Sequence, residues 1–263
     1  MQITEVKKLA ENGTSKLIEA LKAGKSEALT EYLKAISKLH SYSYRNMCLI
    51  FAQKNDATRV EGFQTWKKLS RFVKKGEKGI VIISPIFKKS EDESQEVRFR
   101  ASYVFDISQT EGEDIPTFAE TSGDPGQYLI NLKSLLVNKG IELEYLDNLN
   151  GADGLSQGGK IVLKSKLTPS TEFSVLVHEL AHEILHQKSD DRKSKKVREL
   201  EAEAVAFVVS EAIGIKSLEA SKDYIQLYSG NDELLNESLT SIHRASSEIL
   251  SSILKVEEER DAA

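Results

Sequence analysis

The sequence predicts an α+β protein of two domains, an N-terminal helical domain with a small β-sheet and a C-terminal domain built mainly of helices. Three observations lead there: apolar residues at helical spacing toward both ends, β-rich runs confined to short central stretches, and a polar break where both periodicities stop. A chain of 263 residues can bury about two cores. With 40% hydrophobic and 29% charged residues, and only 15 Gly and 4 Pro, collagen-like and wholly disordered classes are excluded.

Leu9, Leu17, Ile18, Leu21, Leu29, Leu33 and Ile36 build apolar stripes over residues 3–38, interrupted near Gly24, so two helices are expected. Tyr44–Gln53 reads as a third and Phe63–Phe72 as a short fourth. Gly79–Phe87 and Val97–Asp106 are strand-like and should pair across the charged segment KKSEDESQE. Residues 107–124 lose periodicity and gather Gly, Pro and acids, which sets the expected partition: a first domain over 1–110, a linker over 111–124, a second domain over 125–263. The second domain should open with a helix near Gly126–Lys139. Strands at Ile141–Tyr145 and Lys160–Lys164 should flank a Gly-rich turn at Gly151–Gly159. Helices are expected at about 171–187, 196–213, 217–229 and 232–257.

The longest apolar stretches, Ile80–Phe87 and Ala202–Ile215, fall short of the ~20 residues a membrane span needs. The start, MQITEVKKLAENG, lacks a signal-peptide core, so a cytoplasmic protein is expected. Cys48, the single cysteine, cannot form an internal disulfide and reads as a buried small hydrophobe. The net charge of −5 hides an asymmetry: residues 1–106 hold 20 Lys and Arg against 13 Asp and Glu, and residues 107–263 hold 16 against 28. The basic half suits a polyanion.

His178-Glu179-Leu180-Ala181-His182 is the most specific signal. Residues four apart return to one helical face, so His178 and His182 can offer two imidazoles to one ion with Glu179 beside them. That arrangement suits Zn²⁺ with three protein ligands, and Glu179 as the base that takes a proton from water attacking a peptide carbonyl. The surrounding helix is apolar, and burying this trio without a partner would be costly. The third ligand should come from RELEAEAVAFVV. Glu199 and Glu203 share a face, Glu199 being assigned as ligand and Glu203 as the carboxylate that orients a ligating histidine; Glu201 is the alternative ligand. His186 reads as a supporting or packing residue, His243, Tyr224 or Tyr228 as stabilisers of an oxyanion, and His40 as exposed or capping.

Residues 59–89 interleave cations with Phe63, Trp66 and Phe72, a composition that suits single-stranded DNA: cations track phosphates while flat rings stack on bases. The candidate DNA-binding residues are Tyr44, Arg45, Trp66, Lys67, Lys68, Arg71, Lys74, Lys75 and Lys78. KKGEKG (Lys74–Gly79) lacks the Gly-Lys-Ser/Thr ending of a P-loop.

YSYRNMCLIFAQ, VEGFQTWKKLSRFVKKGEKGIVIISP and YVFDISQTEG resemble the single-stranded-DNA-binding domain of ArdC-like antirestriction proteins. VHELAHEILH with RELEAEAVAFVVSEAIGI is similar to the zincin-like metallopeptidase part of those proteins and of the ImmA/IrrE family. The resemblance implies a mobile-element or phage-associated cytoplasmic protein that binds single-stranded DNA, protects incoming DNA from restriction and carries a zinc peptidase with a protein substrate. The other reading it leaves is a non-catalytic DNA-binding module with a structural or vestigial zinc.

Overall fold

The computed structural model describes residues 6, 15, 17–23, 27–89, 95–114, 124–186, 193–215 and 231–258. Its elements begin with α1 (Glu27–Lys38), α2 (Tyr44–Gln53), β1 (Val60–Gly62), α3 (Phe63–Lys68), β2 (Arg71–Val73), β3 (Ile80–Lys89), β4 (Gln95–Asp106) and β5 (Thr110–Gly112). They continue with α4 (Gln127–Asn138), β6 (Glu142–Leu146), β7 (Gly154–Ser156), β8 (Lys160–Lys164), α5 (Pro169–His186), α6 (Lys195–Ala212) and α7 (Asp232–Glu258). The architecture is α+β in two compact units, one of Met1–Ala20 with Tyr42–Pro116, the other of Leu21–Ser41 with Thr117–Ala263.

In the first unit β1, β4 and β3 form an antiparallel sheet in that order, with Val60 opposite Asp106 and Ile80 opposite Val104. β3 is therefore an edge, and α2 closes it. The Asn46 amide donates to the Ile83 carbonyl at 2.9 Å and accepts from the Ile83 N–H at 2.9 Å. The Gln53 amide does the same to Val81, at 2.9 Å each way. Two helical side chains thus stand in for a strand and remove groups that would template aggregation.

The expected helix Phe63–Phe72 stops at Lys68, because Ser70 turns into the left-handed region (φ 57°) and the chain re-enters as β2. β2 pairs with β5, so the expected linker over 111–124 starts too early. Asp106 organises this corner, its carboxylate accepting from the N–H groups of Thr58 (2.7 Å), Arg59 (3.2 Å) and Ser108 (3.0 Å). Gly112 is required there, since a Cβ would lie 2.3 Å from the Ser70 carbonyl oxygen.

The second unit holds β6, β8 and β7 in that order, β6 parallel and β7 antiparallel to β8. β8 is fully buried at Ile161, Val162 and Leu163. α5 lies against β7 and β8, α6 packs on α5, and α7 packs on α6 and α4. Ala202, Ala204, Val205, Val208 and Val209 are completely buried on α6, small enough to bring helices close from several sides. One partner was not expected. α1 buries Leu29, Leu33 and Ile36 in this unit and packs on α6, so the expected first domain over 1–110 is interrupted. An amphipathic helix goes to an apolar surface that covers it, and the buried small residues of α6 supply one. The expected helix over 217–229, with Tyr224 and Tyr228, lies outside the described residues, as do the hairpin tip over 90–94 and residues 115–123. No described helix is long and apolar enough to cross a membrane.

Candidate metal centre

α5 and α6 bring together one set of ligand-type side chains among the described residues: His178, His182 and Glu199. The two Nε2 atoms are 3.1 Å apart, and Glu199 Oε2 lies 3.6 Å from His178 Nε2 and 3.4 Å from His182 Nε2. Donors held ~2.0–2.1 Å from a tetrahedral zinc are separated by ~3.3–3.4 Å, so this triangle has the dimensions of a shared divalent cation. Burial, and then the neighbouring His182, push the His178 pKa below the ordinary imidazole value. The neutral ring this favours is the form that binds metal.

Glu199 joins the imidazoles because it sits on the face of α6 turned toward α5, whereas the other two glutamates of the run go elsewhere. Glu201 is fully buried and accepts from Lys193 Nζ at 2.6 Å, with His186 Nε2 3.5 Å away. That engagement removes it as the alternative ligand. Glu203 is solvent-exposed, and no hydrogen bond or ion pair joins it to His178 or His182. The expected orienting role is therefore corrected: one turn beyond Glu199, Glu203 is exposed to solvent.

Glu179 is buried beside the triad. Burial, then the Glu199 charge, raise its pKa to about 7, against a hydrogen bond from the Ser156 backbone that lowers it. β7 comes this close because residue 154 is glycine. A Cβ there would lie 2.6 Å from Val175 Cγ1 and 2.8 Å from Glu179 Cγ and Oε1. The next residue after the motif, Glu183, clamps the same hairpin: it accepts from Ser156 Oγ at 2.5 Å, Gly158 N at 2.9 Å and Gly159 N at 2.7 Å. Sequence reasoning missed both. HELAH followed directly by the charge of Glu183, and GADGLSQGG with its crowded glycines, were the available signals.

The triad, Glu179 and β7 line an open cleft of about 500 Å³ that includes His186, Lys195 and Arg198. His243 is buried on α7 and does not line it, so its expected oxyanion role fails. His40 Nδ1 donates to the Ser37 carbonyl at 2.9 Å, consistent with capping. Cys48 is buried.

In the first unit the expected DNA residues divide. Trp66 is completely buried and its Nε1 donates to the Phe105 carbonyl at 2.9 Å, so it cannot stack on a base. Arg71 is spent on β5: its Nε donates to Thr110 Oγ1 at 2.8 Å, Nη2 to the Thr110 carbonyl at 3.2 Å, and Nη1 to the Glu113 carbonyl. It ties two strands rather than offering itself to a phosphate. Arg45, Lys67, Lys68, Lys75 and Lys78 are exposed, Tyr44 is half-buried, and exposed Lys74 donates to the Ser108 carbonyl at 3.0 Å. Phe63, Phe72, Phe99 and Tyr103 are the aromatic rings left more than half exposed among the described residues.

Fold and site thus define a two-unit α+β protein whose second unit carries an HExxH candidate metal centre. Residues 7–120 match the N-terminal domain of the anti-restriction factor ArdC, and residues 138–249 match the IrrE N-terminal-like domain, a peptidase family. Both domain types of the ArdC-like antirestriction proteins are thus matched, one after the other along the chain. The crystal structure of antirestriction ArdC from plasmid R388 is similar in fold: TM-score 0.55, 18% identity, 94% of this chain and 98% of that one in the metal-free form. The Mn(II)-bound form gives 0.53 at 18% identity, covering 93% and 97%. An uncharacterized protein of Bacillus anthracis is 25% identical across 87% of this chain, which spans about half (48%) of that relative's length.

Proposed function

We propose that this protein is an antirestriction factor that binds single-stranded DNA through its first unit and hydrolyses a protein substrate with a zinc-dependent peptidase site in its second. The observation that carries the peptidase reading is the convergence of His178, His182 and Glu199 with Glu179 buried alongside. His178, His182 and Glu199 would hold the divalent metal, which when bound supplies Lewis acidity toward water and a peptide carbonyl. Glu179 takes the proton of the attacking water and passes it to the leaving amine. The β7 edge, unpaired on its outer side within the sheet, offers backbone groups to an extended peptide.

The DNA reading rests on exposed cations and on Phe63, Phe72, Phe99 and Tyr103 in place of Trp66. Phe72→Ala and Tyr103→Ala should each weaken oligo-dT binding by roughly tenfold, within the ~1–3 kcal/mol a stacked base contributes. Fluorescence anisotropy at fixed salt measures it, and unchanged affinity in both would move the site elsewhere. For the peptidase, Glu179→Gln with metal retained should lose proteolysis and, with it, protection of incoming DNA. Full protection by that variant would leave a non-catalytic DNA-binding module.

A further inference from the structure

The cleft at the candidate metal centre has a cationic end for which the triad and Glu179 have no use. Lys195 and Arg198 line it together with Glu179 and Glu199. They are three residues apart on α6 and so leave the helix on neighbouring lines of one face. Among the described residues neither side chain takes part in an ion pair or hydrogen bond, although two carboxylates share the space with them. Helix stability does not explain their position. The first turn of α6 contains no acidic residue, and positive charge at a helix start is opposed by the helix dipole. Lys193, just before the helix, is by contrast neutralised by buried Glu201 at 2.6 Å. Among the described residues one cation at this end is compensated and two face the cleft.

Resting on the peptidase reading, we propose that Lys195 and Arg198 form a subsite for a substrate carboxylate, so that the cleft selects peptides carrying one close to the scissile bond. A peptide extended along β7 turns alternate side chains toward opposite sides, so every second residue can face the cleft that β7 lines together with Lys195 and Arg198. A guanidinium beside the third metal-site donor can take a carboxylate through two parallel hydrogen bonds, with the lysine adding a second charge. The carboxylate could belong to an Asp or Glu side chain or to a free chain end. Both present the same group at the same wall.

The test uses metal-loaded full-length protein and peptidyl hydroxamates that anchor at the metal: one with Asp, one with Asn, both amidated, and the Asn compound with a free C-terminal carboxylate. Calorimetric titration should show at least tenfold tighter binding of a carboxylate-bearing probe than of the amidated Asn probe. In Lys195→Gln/Arg198→Gln that preference should shrink to within twofold at unchanged metal content. Preference for Asp assigns the subsite to acidic side chains, and preference only for the free acid assigns it to chain ends. Equal binding of all three probes, or a preference untouched by the double substitution, overturns the subsite while the peptidase reading stands. Failure of every probe to bind the loaded protein overturns both.

Discussion

Replacing Glu179 by Gln in metal-free protein should stabilise the second unit at alkaline pH. The carboxyl group is raised from 4.5 to about 7, first by burial and then by the charge of Glu199. A raised carboxyl pKa contributes stability that is complete below the unfolded value and lost as pH climbs through the folded one. The loss therefore falls between about pH 4.5 and 7. At ~1.4 kcal/mol per unit the ceiling is about 3 kcal/mol, and solvent in the open cleft reduces it to about 2 kcal/mol. Trp66 lies in the first unit and does not report on this change. Hydrogen exchange of α5 amides, after chelation and dialysis, does. The parent should lose about 2 kcal/mol of protection free energy between pH 5 and 8 beyond any change in the Gln variant. Identical pH dependence in parent and variant would refute the claim that the site holds an ionised Glu179 against its preference.

Glu199→Ala should bring bound metal well below one per chain by elemental analysis, whereas Glu203→Ala should leave it stoichiometric, because only Glu199 approaches both imidazoles. Glu183→Ala deprives Ser156, Gly158 and Gly159 of their acceptor and should cost about 3 kcal/mol, read as a lower melting temperature of the second unit. Gln53→Ala strands the N–H and carbonyl of Val81 on the β3 edge. A loss of about 2 kcal/mol is expected, followed by Trp66 fluorescence during urea unfolding.

Much of the candidate site was legible because its signal is local. His178 and His182 share a face by helical geometry alone, and Glu199 was the favoured donor before any packing was known. The DNA constellation was harder to read, for a physical reason. A lysine-rich run with three aromatics is compatible with rings inside or outside, and Trp66 went inside because its indole N–H finds the Phe105 carbonyl there. Arg71 looks like its basic neighbours in sequence, yet carbonyls that arrive from 39 to 42 residues later engage it.

The sequence by itself determined where most helices run, that β3 and β4 pair, and that two imidazoles and a glutamate occupy one buried helix. All of these depend on periodicities of two or 3.6 residues that a short segment carries within itself. Only the tertiary structure decided which glutamate of three faces the imidazoles, that α1 covers α6, and that Gly154 and Glu183 bring β7 over the site. Those outcomes depend on which helical faces meet, and a single segment does not encode the position of its partner.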